Sequence, residues 1–179
     1  DYLFGVVPLF VFMGLLVAIA GIGRDTFEVA AQLFRRLLGG LGIATVAANA
    51  VFAAITGISI ASAAVFTKVA VPEMMRHGYT GRFSVGVVAG SSVLGMLIPP
   101  SLLFILYGVL TEQSVGSLFI AGVIPGILLS LVYCIGIVAL ARFAPGFVGD
   151  TSQAVEEPTD MGAGEMLAKI APIVVLIAL

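Results

Sequence analysis

Ser91-Ser92-Val93-Leu94-Gly95-Met96-Leu97-Ile98-Pro99-Pro100-Ser101 lies within a run, Phe83 to Thr111, that carries no charged residue. A continuous helix cannot pass through it: Pro99 and Pro100 lack amide donors and disfavour helical backbone before them, and Gly95 loosens the chain further. The sequence therefore predicts a helix break at membrane depth. Unpaired backbone groups at that depth are tolerated only where protein covers them or a polar cavity solvates them, so the break is expected to face an ion or a substrate. A proline kink that serves packing alone is the competing reading.

Composition supports the membrane setting. The 179 residues are 60% hydrophobic and 10% charged, with a mean hydropathy of +1.20, against roughly 25% charged in an average soluble domain. These values predict an integral membrane protein, and the spans and breaks in its sequence make it all-α. The net charge of -2 carries little information, because in a membrane chain the placement of Lys and Arg matters more than their sum. No nucleic-acid signature is present. Cys134 is the single cysteine, so no intrachain disulfide can form and no zinc or redox ligand set exists; it reads as a packing residue. The chain opens at Asp1 and its last apolar run, Ile170 to Leu179, is only ten residues long, which leads us to expect a piece of a longer protein.

Outward from the break towards the N-terminus, Lys68 to Arg82 reads as a short polar connection. Its His77, the only histidine, is expected to be a solvated loop residue among surface charges rather than a proton relay. Before it, residues 42–67 form an uncharged run too long for one span and interrupted by Thr56-Gly57-Ile58-Ser59. Two short arms with a turn between them fit this pattern. If the run crosses the membrane, the eight basic residues Arg24, Arg35, Arg36, Lys68, Arg76, Arg82, Arg142 and Lys169 divide three against five between the two sides. If it enters and leaves by one face, all eight fall on that face, and the opposite loop around Glu112 has none. The positive-inside rule favours a re-entrant hairpin with its mouth in the cytoplasm. Residues 3–22 form a twenty-residue uncharged stretch, long enough to span. Residues 24–38 repeat apolar positions at helical spacing among charges and are expected to lie along the membrane surface or to act as a solvated connector.

Towards the C-terminus, residues 83–110 form the broken span, Thr111 to Ser114 the outer turn, Val115 to Ile120 a short interfacial helix, and residues 121–141 a returning span. The small-residue pairs Gly86/Gly90 and Gly122/Gly126 read as close helix packing. Residues 143–168 gather Asp150, Glu156, Glu157, Pro158 and Asp160 among small residues and are expected to be a cytoplasmic linker. Residues 169–179 begin a crossing opposite in direction to residues 3–22. The echo of Val7-Pro8-Leu9-Phe10-Val11 in Ala171-Pro172-Ile173-Val174-Val175 suggests the start of an inverted-topology repeat.

Two interruptions, Thr56 to Ser62 and Ser91 to Ser101, thus fall at comparable depth, rich in hydroxyls and free carbonyls and devoid of carboxylates. Oxygen dipoles of this kind suit sodium, while helix amino-termini at the same breaks present positive ends to an anion. Enzymatic catalysis is disfavoured: no Asp, Glu, Lys or His lies in these runs to activate a serine. Capping and interhelical hydrogen bonding remain an alternative role for each serine.

Taken in order, Phe52-Ala53-Ala54-Ile55-Thr56-Gly57-Ile58-Ser59-Ile60-Ala61-Ser62, Val71-Pro72-Glu73-Met74, Gly78-Tyr79, Leu94-Gly95-Met96-Leu97-Ile98-Pro99-Pro100-Ser101, Tyr107-Gly108-Val109-Leu110-Thr111 and Phe119-Ile120-Ala121-Gly122-Val123-Ile124-Pro125-Gly126 resemble the large membrane subunit (DctM type) of the tripartite ATP-independent periplasmic (TRAP) transporters, from about Pro8 to Arg142. The resemblance implies a multi-pass protein of the bacterial inner membrane with an ion-transporter-superfamily-like fold, this chain being one half of an inverted repeat. It further implies sodium-driven uptake of organic acids such as dicarboxylates, delivered by a periplasmic solute-binding protein, with a small four-span membrane subunit as partner and elevator-like movement. By position, Thr56, Gly57, Ser59 and Ser62 would form the hairpin tip, and Ser91, Ser92, Gly95, Pro99, Pro100 and Ser101 the facing unwound loop, together holding sodium and substrate. Ile58 departs from the family's frequent serine at that position, which either leaves a backbone carbonyl to serve there or weakens the site. A single-component sodium-dicarboxylate symporter is the rival reading; a channel or an inert scaffold would explain the hydrophobicity but not the two breaks.

Overall fold

Small side chains let the middle of the chain be enclosed by the rest. Between Gly40 and Thr56 the sequence is uncharged and rich in Ala and Gly, so neighbouring helices approach it closely from several directions. The computed structural model describes residues 2–149 and 162–178. Its helices are α1 (Tyr2–Ile19), α2 (Ile22–Phe34), α3 (Gly40–Thr56), α4 (Ser59–Arg76), α5 (Gly81–Ser92), α6 (Leu94–Leu97), α7 (Leu102–Leu110), α8 (Val115–Phe143), α9 (Pro145–Val148) and α10 (Ala163–Ala178). Among the described residues no strand forms, and the one extended pairing is an isolated bridge between Tyr79 and Gly149. The described residues build an all-helical protein, the fold class expected from the sequence.

Helix α3 is the hub. One side of it, through Ala44, Ala48, Phe52 and Ile55, joins Phe27 of α2 and Phe66 of α4 in an apolar cluster, within which the Phe52 and Phe66 rings meet edge to face at 5.6 Å. The other side, through Ile43, Val46 and Ala53, packs with Met74, Phe83, Leu94 and Ile137. Thr80 caps α5 by accepting the Phe83 N–H at 3.2 Å. Its own hydroxyl donates to the Phe147 carbonyl at 2.6 Å, tying the start of α5 to α9.

Several boundaries differ from the sequence expectations, each for a local reason. The expected interfacial helix at Val115 to Ile120 and the span at 121–141 form one helix, α8, of 29 residues. Ser114 caps it, and Pro125 is the only strong breaker before its end. At 1.5 Å per residue α8 is roughly 43 Å long, more than the ~30 Å hydrocarbon core, which a tilt or a protruding end accommodates. Helix α2 ends at Phe34, short of residue 38, and buries Ile22, Thr26, Phe27 and Ala30 against α3, α4 and α10; protein therefore covers the face expected to meet the membrane surface. The segment 143–168 is helical at both ends, as α9 and the first turns of α10. Its acidic middle, Asp150 to Asp160, lies outside the described residues.

Helix α10 is held to α2 by charge. Glu28 accepts hydrogen bonds from Arg24 Nε at 2.8 Å and Lys169 Nζ at 2.5 Å. Burial alone would raise the Glu28 carboxyl, but the Lys169 hydrogen bond, and after it the Arg24 one, outweigh burial and hold it below the usual carboxylate value. A carboxyl depressed in the folded state contributes stability that is present above its unfolded pKa and is lost as the pH falls through the depressed value. Glu28→Gln is therefore expected to lower the stability of the full-length protein near pH 7 by about 1 kcal/mol, the scale of a partly exposed pair. The deficit should begin to shrink as the pH falls below the ordinary glutamate value of about 4.3 and vanish below the depressed one. Thermal unfolding of parent and variant across that range checks it; a pH-independent deficit contradicts the pairing.

Candidate functional site

The two interrupted segments touch. Helix α3 ends at Thr56, and Gly57 takes a left-handed conformation, φ 63°, with its N–H donating to the Ala53 carbonyl at 2.8 Å. Ile58 is extended, and α4 starts at Ser59. On the facing segment the short α6 ends at Leu97, Ile98 and Ser101 are extended, and α7 starts at Leu102, with the helical arms before and after the break bent by 42°. The Leu102 N–H, first in α7, donates to the Gly57 carbonyl at 3.1 Å. A helix-terminal donor and a free loop carbonyl thus satisfy each other across the two breaks.

Contact is close because glycine stands at both points of approach. A Cβ on Gly57 would lie 2.2 Å from the Pro100 carbonyl oxygen, and one on Gly95 would lie 2.9 Å from the Ser59 nitrogen. Helix α8 backs the break: a Cβ on Gly122 would sit 2.6 Å from the Leu97 carbonyl oxygen, and one on Gly126 would sit 3.0 Å from Ile98 Cγ1. The Gly122/Gly126 pair therefore serves packing. From the other side α1 reaches the tip, where Gly14 faces the Ile58 side chain.

Of the residues singled out in the sequence, Gly57, Ser59, Gly95, Pro100 and Ser101 meet at this crossing. Thr56 flanks it on α3, and Pro99 precedes Pro100 on the partly buried loop. Thr56, Ser62, Ser91 and Ser101 are fully buried and Ser92 nearly so. Their hydroxyl hydrogens are mostly committed: Thr56 donates to the Phe52 carbonyl at 2.9 Å, Ser91 to Val87 at 2.7 Å, Ser92 to Ala89 at 2.9 Å and Ser101 to Met96 at 2.8 Å. What each oxygen still offers is a lone pair. That is the functionality of a cation ligand. Ser62 differs, for its buried Oγ has no hydrogen-bond partner.

Asn49 was not singled out in the sequence. It is fully buried on α3, and its Nδ2 donates to Ser91 Oγ at 2.6 Å, while its Oδ1 is left without a partner. More than nine in ten buried polar groups are paired; the oxygens of Asn49 and Ser62 are exceptions to that rule. A signal was available: a carboxamide inside an uncharged run at membrane depth is costly unless it serves a purpose. Among the described residues no group of three or more His, Cys, Asp or Glu side chains could hold a metal.

The chain matches, over residues 1–179, the family model described as tripartite ATP-independent periplasmic transporter, DctM component. It is 40% identical over 136 residues to the C4-dicarboxylate TRAP transporter large permease protein DctM of Pseudomonas aeruginosa, covering 76% of this chain and 32% of that protein. It is 35% identical over 125 residues to the isethionate TRAP transporter permease protein DctMQ of Oleidesulfovibrio alaskensis, covering 70% of this chain and 20% of the relative. A third relative, the sialic acid TRAP transporter permease protein SiaT of Haemophilus influenzae, is 34% identical over 125 residues, with the same coverage. The chain spans a third or less of the length of these relatives.

Proposed function

The chain belongs to the DctM family of tripartite ATP-independent periplasmic transporters, a family of membrane permeases, and on that premise we propose that it forms one half of a sodium-coupled site for small organic acids. In this reading α3 and α4 are the arms of a re-entrant hairpin, the segment from α5 to α7 is the facing broken span, and the two move together as an elevator within the bacterial inner membrane. The observation that carries the reading is the crossing of the breaks, with Leu102 N–H on the Gly57 carbonyl at 3.1 Å. Two helix amino-termini, those of α4 and α7, come together there beside a set of neutral oxygens. Their positive ends favour an anion, and the oxygens favour a hard monovalent cation.

The substrates named for the relatives, C4-dicarboxylate, isethionate and sialic acid, are all organic acids, which supports the class without choosing among its members. The same names support a periplasmic solute-binding protein and a small membrane subunit as partners, the latter fused or separate. The test is uptake by the full-length subunit, reconstituted with its small subunit. Uptake should be negligible until the binding protein is added, and should follow an inward sodium gradient. Robust uptake of free substrate without the binding protein would move the assignment to a single-component symporter; uptake that ignores sodium and follows an imposed proton gradient would remove the coupling ion.

A further inference from the structure

Helices α5, α8 and α9, with Val46 of α3, line a groove of about 350 Å³ that shares no residue with the crossing of the breaks. Buried apolar side chains, Val46, Phe83 and Ile137, form its floor. Its walls are opened by two glycines, Gly86 and Gly136, at each of which an added Cβ would meet nothing within 4 Å. One end carries Leu140, Phe147 and Arg82. Arg82 is exposed, and among the described residues no carboxylate pairs with it. It also stands in the first turn of α5, where the helix dipole adds positive potential. An apolar slot ending in a guanidinium that no described carboxylate pairs thus lies on the flank of the longest apolar helix among the described residues.

We propose that this groove holds an acyl chain of an anionic phospholipid whose phosphate is paired by Arg82. The inference rests on the reading that α8 lies in a bilayer, and it is independent of the transported substrate. Along α8 the groove runs from Val132 to Leu140, about 12 Å at 1.5 Å per residue, a length that takes up a stretch of acyl chain. Charge argues for an anionic headgroup. A planar guanidinium pairs with phosphate through two parallel N–H bonds, and basic pockets between spanning helices on the cytoplasmic side are suited to acidic lipids. By the distribution of Lys and Arg in the sequence, Arg82 belongs to that side.

The experiment uses the full-length protein in vesicles of phosphatidylglycerol and phosphatidylcholine containing a trace of phosphatidylglycerol with a photoreactive acyl chain. Labelling should map to Val87 and Val132, and excess unlabelled phosphatidylglycerol should compete it away where phosphatidylcholine does not. Arg82→Gln should reduce labelling at least fivefold, and Gly136→Leu should block the slot and abolish it. Equal competition by the two lipids, or labelling unchanged in Arg82→Gln, would reduce the groove to a surface wetted by any lipid and overturn the proposal. Absence of label from the groove in the parent would show that another protein segment covers it, and would overturn the proposal equally.

Discussion

Gly57→Ala is expected to separate the two breaks and to lower substrate uptake by the full-length transporter at least tenfold. Two costs coincide at this position. A left-handed backbone, here φ 63°, costs an ordinary residue roughly 1–2 kcal/mol. The new Cβ would also lie 2.2 Å from the Pro100 carbonyl oxygen, and a backbone atom cannot swing aside as a flexible side chain would. Relief requires the loop to withdraw, which sacrifices the Leu102 N–H bond to the Gly57 carbonyl and opens the crossing. Strain of that size together with a lost buried hydrogen bond amounts to about 2–4 kcal/mol, so the thermal midpoint should fall along with uptake. Gly116→Ala is the control, since a Cβ there meets nothing closer than Ser114 Oγ at 3.9 Å, and it should match the parent in both measurements. Parental uptake by Gly57→Ala at normal expression would remove the crossing from the mechanism.

The breaks were legible because glycine and proline act locally. Gly57 and Pro99-Pro100 restrict or release backbone within a residue or two, so the positions where helices stop could be read without knowing what surrounds them. Residues 115–143 misled for the complementary reason: span length suggested a boundary near 121, but no residue there breaks a helix, and Ser114 already supplies the cap. The burial of α2 against α10 depends on Glu28 finding Lys169, 141 positions away, a pairing no local pattern contains. Asn49 carries no such local mark, because its carboxamide sits inside a regular helix and not at a hydroxyl-rich interruption. Its pairing with Ser91, 42 residues on, is a product of tertiary packing alone.

Ser62→Ala is expected to raise the sodium concentration for half-maximal uptake roughly five- to a hundredfold, the equivalent of losing a buried polar partner worth about 1–3 kcal/mol. The motive is the state of the oxygen: Ser62 is fully buried, and its Oγ has no hydrogen-bond partner. A hydroxyl kept in that condition burdens the fold unless something outside the chain pairs with it. If sodium is that partner, its removal weakens the ion and leaves substrate binding to the soluble component untouched. It should also diminish the stabilisation that added sodium confers on the parent, which grows as RT ln(1 + [Na+]/Kd). If nothing pairs with the hydroxyl in any state, alanine removes an uncompensated polar group, and the variant should be as stable as the parent or more so, with an unchanged sodium response. The two cases differ in sign for stability without sodium against stability with it, so thermal unfolding at several sodium concentrations separates them even if uptake is too slow to measure. An unchanged sodium response in Ser62→Ala excludes Ser62 from the ion site and leaves the carbonyls at the crossing to carry it.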